Sequence, residues 1–346
     1  MHILLIKMSS MGDIIHTLPA LTDAALTIPH IQFDWVVEPA FADIPRWHPA
    51  VNTVIPLPLR QWRKDFLSHW QKGDIKHFIS TVREKKYDLI IDAQGLLKSA
   101  IITAIARGDT HGLNHKSARE WMSSFFYGTH HHVAKNQHAI MRTRELFAKA
   151  LHYPIPTSSI DYHIDPDRLP ILAFALPHRY VVFLHGTTWE TKHYPEHYWE
   201  QLIEKADHDA IPVYLPWGNE TEKLRAERLA KKSKHAVVLP KLSINEIARV
   251  LKNATAVVSV DTGLGHLSNA LETPTIGLYG PTDPVRVGMI GSNETTLQAH
   301  FPCAPCHSKT CHYAKTHTTE ITPACYATIP PDKVWALLKT KIITES

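Results

Sequence analysis

Long apolar runs are missing from this chain. The longest near-apolar stretch, Leu169 to Pro177 (LPILAFALP), is about half the ~20 residues that a membrane-spanning helix needs, and it has proline at both ends. The N-terminal Ile3-Leu4-Leu5-Ile6 is cut by Lys7 and lacks the apolar core and small-residue cleavage site of a leader, so it reads as a first strand. A soluble, cytoplasmic protein is the expectation. Cysteine is scarce as well: all four residues fall in CAPCHSKTCHYAKTHTTEITPAC, which excludes a disulfide-built scaffold. Charge of one sign is not in excess, with 37 basic against 33 acidic residues and a formal net charge of +4. Nucleic acid is not an expected partner, because no dense basic helix or interleaved aromatic stack accompanies the cysteines. No repeat or low-complexity tract stands out, and the histidine cluster THHHV at 129 to 133 reads as a solvated loop.

What is present is alternation. The runs HILLIK, FDWVV, YDLIIDA, YVVFLHG, IPVYLPWG, AVVL, AVVSV and TIGLYG are separated by helix-length amphipathic segments. That pattern predicts an α/β protein with parallel sheets covered by helices on both faces. With 346 residues and 44% apolar composition the chain can bury two cores. The proline-containing stretch DPDRLPILAFALPHR marks the linker, giving two Rossmann-like domains over 1–165 and 178–346 that face each other across a cleft. The final helix is a candidate to pack back on the first domain. Ligands of doubly wound sheets bind beyond the carboxyl ends of strands, so the loops there are the places to examine.

In the first such loop, KMSSMGDIIHTLPAL, Ser10, Gly12 and Asp13 stand where strand turns to helix. Asp13 reads either as a helix cap or as a general base at the cleft end of the strand. Arg60, Arg63 and Lys64 in LPLRQWRKDF, Lys98 after YDLIIDAQ, and Arg119 in SARE suit an anion-binding surface. Solvated side chains are the alternative.

The second half is richer in phosphate-compatible groups. HGTTWETKHYPE brings Thr187, Thr188 and Lys192 after one strand, and hydroxyls with a mobile ammonium suit phosphate oxygens. In VVSVDTGLGHLSNA, an apolar strand delivers Asp261, Thr262, Gly263 and His266 to a helix start, whose unpaired N–H groups favour an anion. Its Gly-x-Gly is not a full dinucleotide fingerprint, since serine stands at the third glycine. Glu222 in LPWGNETEK either complements a helix dipole or bonds ribose hydroxyls. No paired-acid Asp-x-Asp sits at a strand end, so a catalytic divalent ion is not expected. Cys303, Cys306, Cys311 and Cys325 contain one Cys-x-x-Cys pair, and in a reducing compartment they read as a structural Zn or Fe site or as free thiols.

Together these motifs give the chain a resemblance to the lipopolysaccharide heptosyltransferases. It is carried by KMSSMGDIIHTLPALTDA, FDWVVE, RQWRKDF, IDAQGLLKSA, SAREWMSSFFY, RTRELFAKAL, FLHGTTWETKHYPE, LPWGNETE, LPKLSINEIARVL and SVDTGLGHLSNAL with YGPTDP. The opening motif is similar to members that add the first heptose rather than the second. The resemblance implies a GT-B fold, an ADP-heptose donor, and a Kdo-lipid A acceptor at the anionic inner face of the inner membrane, where the protein would be peripheral. It implies inverting transfer, with Asp13 taking the proton from the 5-hydroxyl of Kdo and Lys192 assisting departure of the diphosphate. Thr187, Thr188, Lys192, Glu222, Asp261, Thr262, Gly263 and His266 would hold the donor. Ser10, Gly12, Arg60, Arg63, Lys64, Lys98 and Arg119 would receive the acceptor. The cysteine loop departs from many first-heptose members and is similar to loops of other heptosyltransferases. A heptosyltransferase with a different acceptor is the alternative reading.

Overall fold

Ile3, Leu4, Leu5 and Ile6 are wholly buried, as a strand with neighbours on both edges and helices on both faces requires. They form β1 (His2–Ile6) in a computed structural model that describes residues 1–343. Two units are distinguished, Met1–Arg168 and the chain from Leu169 onward. The first contains β1, β2 (Gln32–Val37), β3 (Val51–Pro56), β4 (Leu89–Asp92), β5 (Asp109–Leu113) and β6 (Thr129–His131). The second contains β7 (Val181–Leu184), β8 (Val213–Leu215), β9 (Ala236–Val238), β10 (Ala256–Val260), β11 (Thr275–Tyr279) and β12 (Glu294–Gln298).

All neighbouring strands are parallel, in the orders β3-β2-β1-β4-β5-β6 and β12-β11-β10-β7-β8-β9. Read from its other edge, the second order repeats the first, a duplication of topology that no sequence repeat announces. In each sheet the order of strand addition reverses at two central, parallel strands, β1 beside β4 (Ile3 opposite Leu89) and β7 beside β10 (Val182 opposite Val257). The crevice outside those strand ends is where such folds bind ligands.

The first core includes Leu4, Ile6, Val36, Ile55, Phe78 and Ile90, and the second includes Val181, Phe183, Trp199, Val258, Ile276 and Trp335. The final helix, Pro331–Ile343, packs on the helix Glu196–His208 and on β10 and β11 of the second unit. Arg249 donates to the carbonyls of Leu169 (2.8 Å) and Pro170 (3.0 Å), pinning the proline-containing segment that precedes β7.

The histidine cluster needs correction. Thr129–His131 is an edge strand, not a loop, and His131 is buried against His111, with ring nitrogens 3.0 Å apart and rings stacked. Burial and the neighbouring positive groups push His131 down to about 4. His130 and His132 are exposed as expected. No helix among the described residues is long and apolar enough to cross a membrane.

Candidate active site

In the first unit the loops after β1 and β4 are stitched together. Lys7 Nζ donates to the Ala93 carbonyl (2.9 Å), and Gln94 Oε1 accepts from the N–H groups of Met8 (2.9 Å) and Ser9 (3.2 Å). The turn after β4 is held by the fully buried Asp92, which accepts from Gln94 N, Gly95 N and the Tyr127 hydroxyl. Gly95 sits at φ +65°, a conformation that favours glycine, and its carbonyl accepts from Glu120 N (3.1 Å). Glu120 in turn accepts from Leu97 N (2.7 Å), which seats the SARE segment on the start of the helix that carries Lys98.

Asp13 lies in the first turn of the helix Met11–Ile15, where its Oδ2 accepts from both the N–H (2.9 Å) and the hydroxyl (2.8 Å) of Ser10. The N-cap of this helix is Ser10, not Asp13; Asp13 stands at the third helical position and closes a capping box, and the residue is partly exposed at the strand end. Burial raises its proton affinity. The charge on Lys7, the two Ser10 hydrogen bonds and the charge on Arg119 outweigh that, leaving Asp13 below the ordinary carboxylate range. Ser10, Gly12, Asp13, Lys98 and Arg119 thus share the ends of β1 and β4. Arg60 stands at the end of β2, its Nε 3.7 Å from Glu38 Oε1, whereas Arg63 and Lys64 lie exposed where the helix Leu59–Trp62 ends.

The second unit builds its site around one carboxylate. Asp261, just past β10, pairs through Oδ2 with Lys192 Nζ at 2.7 Å and accepts at the same oxygen from the Thr282 hydroxyl at 2.7 Å. His266 Nε2 is 3.6 Å from Oδ1. Burial alone would raise Asp261, but His266 and Lys192 hold it far below the usual carboxylate range. The Thr187 hydroxyl donates to the Asp261 carbonyl (3.1 Å), so in this arrangement its proton is already engaged, while Thr188 is exposed in the same loop. Thr262 is the N-cap of the helix Gly263–Ala270, its carbonyl accepts from Gly265 N (3.1 Å) and His266 N (3.3 Å), and the N–H groups of Gly263 and Leu264 open the helix start. Gly265 permits that helix to approach β10: a Cβ there would lie 2.4 Å from Ser259 Oγ.

Glu222 arrives from the helix after β8. Its Oε2 accepts from Gly218 N (2.8 Å), and its carboxylate packs so close to Gly186 that a Cβ on that glycine would meet it at 2.7 Å. It therefore joins the loop after β7. An anion reaching this crevice meets the Lys192 ammonium, the His266 ring and a helix start, an arrangement able to hold a diphosphate. Asp261 would repel such a ligand; its position suits orienting Lys192 and His266 instead. Sequence reasoning missed Lys7, Gln94 and Thr282. It missed also Trp189, whose ring lies 4.6 Å from Lys192 Nζ, and Tyr326, whose hydroxyl donates to the Lys192 carbonyl at 2.9 Å. Lys7, Gln94, Trp189 and Thr282 all stand inside motifs singled out in the sequence, but except for Trp189, three residues from Lys192, their partners are remote in the chain, and Tyr326 lies outside every such motif.

The four cysteines, with Thr191, His312 and Tyr313, line one cavity of about 70 Å³. Burial and the other thiols push Cys325 up to about 12. Among the described residues no three His, Cys, Asp or Glu side chains stand where they could hold one metal ion, so the thiols converge without forming a coordination shell.

Two doubly wound units of one topology, with polar crevices at both switch points, define a protein of the GT-B class. The profile of glycosyltransferase family 9 (heptosyltransferase) matches residues 75–317. Lipopolysaccharide heptosyltransferase 1 of Pseudomonas aeruginosa is 48% identical over 351 aligned positions, covering 99% of this chain and 98% of that protein. The solved structure of Escherichia coli heptosyltransferase WaaC with ADP superposes with a TM-score of 0.86 at 44% identity, covering 99% of this chain and 100% of that one. The same enzyme with ADP-2-deoxy-2-fluoro heptose gives 0.82 at 44%, over 98% and 99% of the two chains. The chain belongs to glycosyltransferase family 9, the heptosyltransferases, and is a glycosyltransferase.

Proposed function

We propose that this enzyme moves heptose from ADP-heptose to the 5-hydroxyl of Kdo on Kdo-lipid A, placing the first heptose of the lipopolysaccharide inner core. The observation that carries the reading is near full-length similarity to an enzyme solved with ADP and with a fluorinated ADP-heptose. Asp13, ionised at neutral pH, accepts the proton of the attacking hydroxyl as its oxygen bonds to the anomeric carbon. The bond from that carbon to the diphosphate breaks, ADP leaves with the electron pair, and the configuration inverts. The transition state resembles an oxocarbenium ion. Lys192, His266 and the helix start at Thr262 meet the growing charge, preorganised donors of this kind being worth about 3 kcal/mol each. Thr188, Glu222 and Gly263 complete the donor side. Ser10, Gly12, Arg60, Arg63, Lys64, Lys98 and Arg119 take the acid groups of the acceptor. No divalent ion is required.

A lipid acceptor places the enzyme at the anionic inner face of the inner membrane, each nearby Lys or Arg adding about 1 kcal/mol of salt-sensitive attraction. We read the four-cysteine cavity as a structural site for zinc or iron that the thiols would close on only by turning from the positions described above, a reading supported by the convergence of every cysteine of the chain on one cavity. Elemental analysis of purified protein tests this, with one ion per chain expected and metal-free thiols the opposing result. The transfer reading is tested by incubating the protein with ADP-heptose and Kdo-lipid A. Heptosylated product is expected; its absence, or transfer only to another acceptor, overturns the assignment.

A further inference from the structure

Large apolar side chains are exposed in an uneven way on the first unit. Phe66, Leu67 and Trp70 lie on the helix Phe66–Gln71, and Trp121, Met122 and Phe125 on the 3-10 segment Trp121–Phe126; Leu67 and Phe125 are 72% and 74% exposed. Each group is preorganised: Phe66 stacks on Trp70 with centroids 6.1 Å apart, and Trp121 meets Phe125 edge to face at 5.5 Å. The connections from β3 to β4 and from β4 to β5 cross the sheet in the same direction. Right-handed crossovers therefore put their helices on one face. Contacts run unbroken along it, from the helix Phe66–Gln71 to the helix Asp74–Glu84, on to the helix Leu97–Ile105 and then to Trp121–Phe126. Ile101, also exposed, sits on the helix between the two aromatic groups.

The segment around the first aromatic group is mostly basic. Residues 60 to 76 hold five basic side chains (Arg60, Arg63, Lys64, Lys72, Lys76) against two acidic ones. Both acids are occupied within the segment, Asp65 accepting from Ser68 N at 3.2 Å and Asp74 lying 2.6 Å from His69 Nδ1. Lys76 keeps its ammonium 5.7 Å from the Trp70 ring, so cation and aromatic are presented together. Clusters of exposed large apolar side chains mark interaction sites more often than single scattered ones do. Exposed aromatics with lysine and arginine beside them, as at Phe66 and Trp70, match the headgroup region of an anionic bilayer, where amphipathic rings and cations both find partners.

We infer that the face formed by Phe66, Leu67, Trp70, Trp121, Met122 and Phe125 inserts into the headgroup layer of an anionic phospholipid membrane, presenting the ends of β1 and β4 to a lipid-anchored acceptor. The inference rests on the proposed lipid acceptor for its purpose, but the membrane contact is tested without it. Purified protein is sedimented with vesicles of phosphatidylcholine alone and of phosphatidylcholine with phosphatidylglycerol at 3:7 to 7:3 ratios, at low and high salt. Binding to the anionic vesicles, weakened by salt, is expected. Leu67→Ser with Phe125→Ser should lower the vesicle partition coefficient at least tenfold, and Lys72→Glu with Lys76→Glu should lower it on anionic vesicles. Transfer to a water-soluble, deacylated acceptor should be unchanged in both variants, which also shows that they fold. Failure of the wild-type protein to bind protein-free anionic vesicles, as a protein-docking face would give, overturns the inference, as does an unchanged partition of the serine variant. Loss of transfer to the soluble acceptor in the wild-type protein would instead overturn the proposed reaction and leave the vesicle result standing.

Discussion

Lys192 Nζ lies 2.7 Å from Asp261 Oδ2, joining the loop after β7 to the end of β10 at the switch point of the second sheet. The ammonium is thereby held in place before any ligand arrives, with Trp189 against it and Tyr326 fixing its backbone.

Replacement of Asp261 by asparagine should reveal what this anchoring does. A charge-assisted hydrogen bond is worth about 1.5–3 kcal/mol, so kcat/KM for ADP-heptose is expected to fall about 10- to 100-fold. Steady-state kinetics at varied donor concentration measure this, and unchanged values would show that Lys192 needs no orienting partner. Lys192→Ala should lose more, since the cation itself is gone.

Asp261 also predicts an acid dependence of stability. Its carboxyl is held below the ordinary value in the folded state, so it contributes stability above the unfolded carboxylate pKa of about 3.9 and loses it as pH falls toward the folded value. Denaturation midpoints between pH 6 and 3 should drop more steeply below pH 4 in the wild-type protein than in Asp261→Asn. Parallel slopes would contradict the depressed carboxyl.

Asp13 can be separated from its cap by a pair of variants. Asparagine can still accept the Ser10 hydrogen bonds that close the capping box but does not take up the proton, so Asp13→Asn and Asp13→Ala should both lower kcat by about two to four orders of magnitude. Near-normal turnover in the asparagine variant would reduce Asp13 to its part in the capping box. Because Lys7 and Arg119 keep the carboxyl ionised, its limb of the pH–rate profile should lie below the ordinary carboxylate range, and Arg119→Ala should move that limb upward.

Gly265→Ala places a Cβ 2.4 Å from Ser259 Oγ, inside a buried strand. Overpacking of this kind costs about 1–3 kcal/mol, and the shifted helix start should weaken donor binding at the same time. A denaturation midpoint equal to that of the wild-type protein would mean that the helix and β10 can separate freely.

Excess EDTA should leave the initial transfer rate unchanged, because Lys192 and His266 stand where a metal would otherwise neutralise the diphosphate. Strict dependence on added Mg²⁺ would refute the metal-free mechanism.

Eight strands were legible as apolar runs, while β3, β5, β6 and β12 were not. VNTVIP alternates with exposed residues, and DTHGL, THH and ETTLQ are too polar to stand out, because strands at or near a sheet edge bury less of their surface. His131 shows the same limit: composition gives a histidine tract a solvated character, and only its pairing with His111 across two strands removes it from water.

The amino-acid sequence by itself determined the α/β class, the strands of the two sheet centres and the loops where polar chemistry collects, since periodicity, strand-end position and helix capping are local properties of a chain. Tertiary structure alone decided that Asp261 grips Lys192 and His266, that Gln94 and Lys7 bind the loops after β1 and β4, and that Arg119 stands close enough to charge-stabilise Asp13. Apart from His266, which shares one motif with Asp261, those partners depend on which strands lie side by side, and parallel neighbours are joined by crossovers long enough to hide them from local pattern.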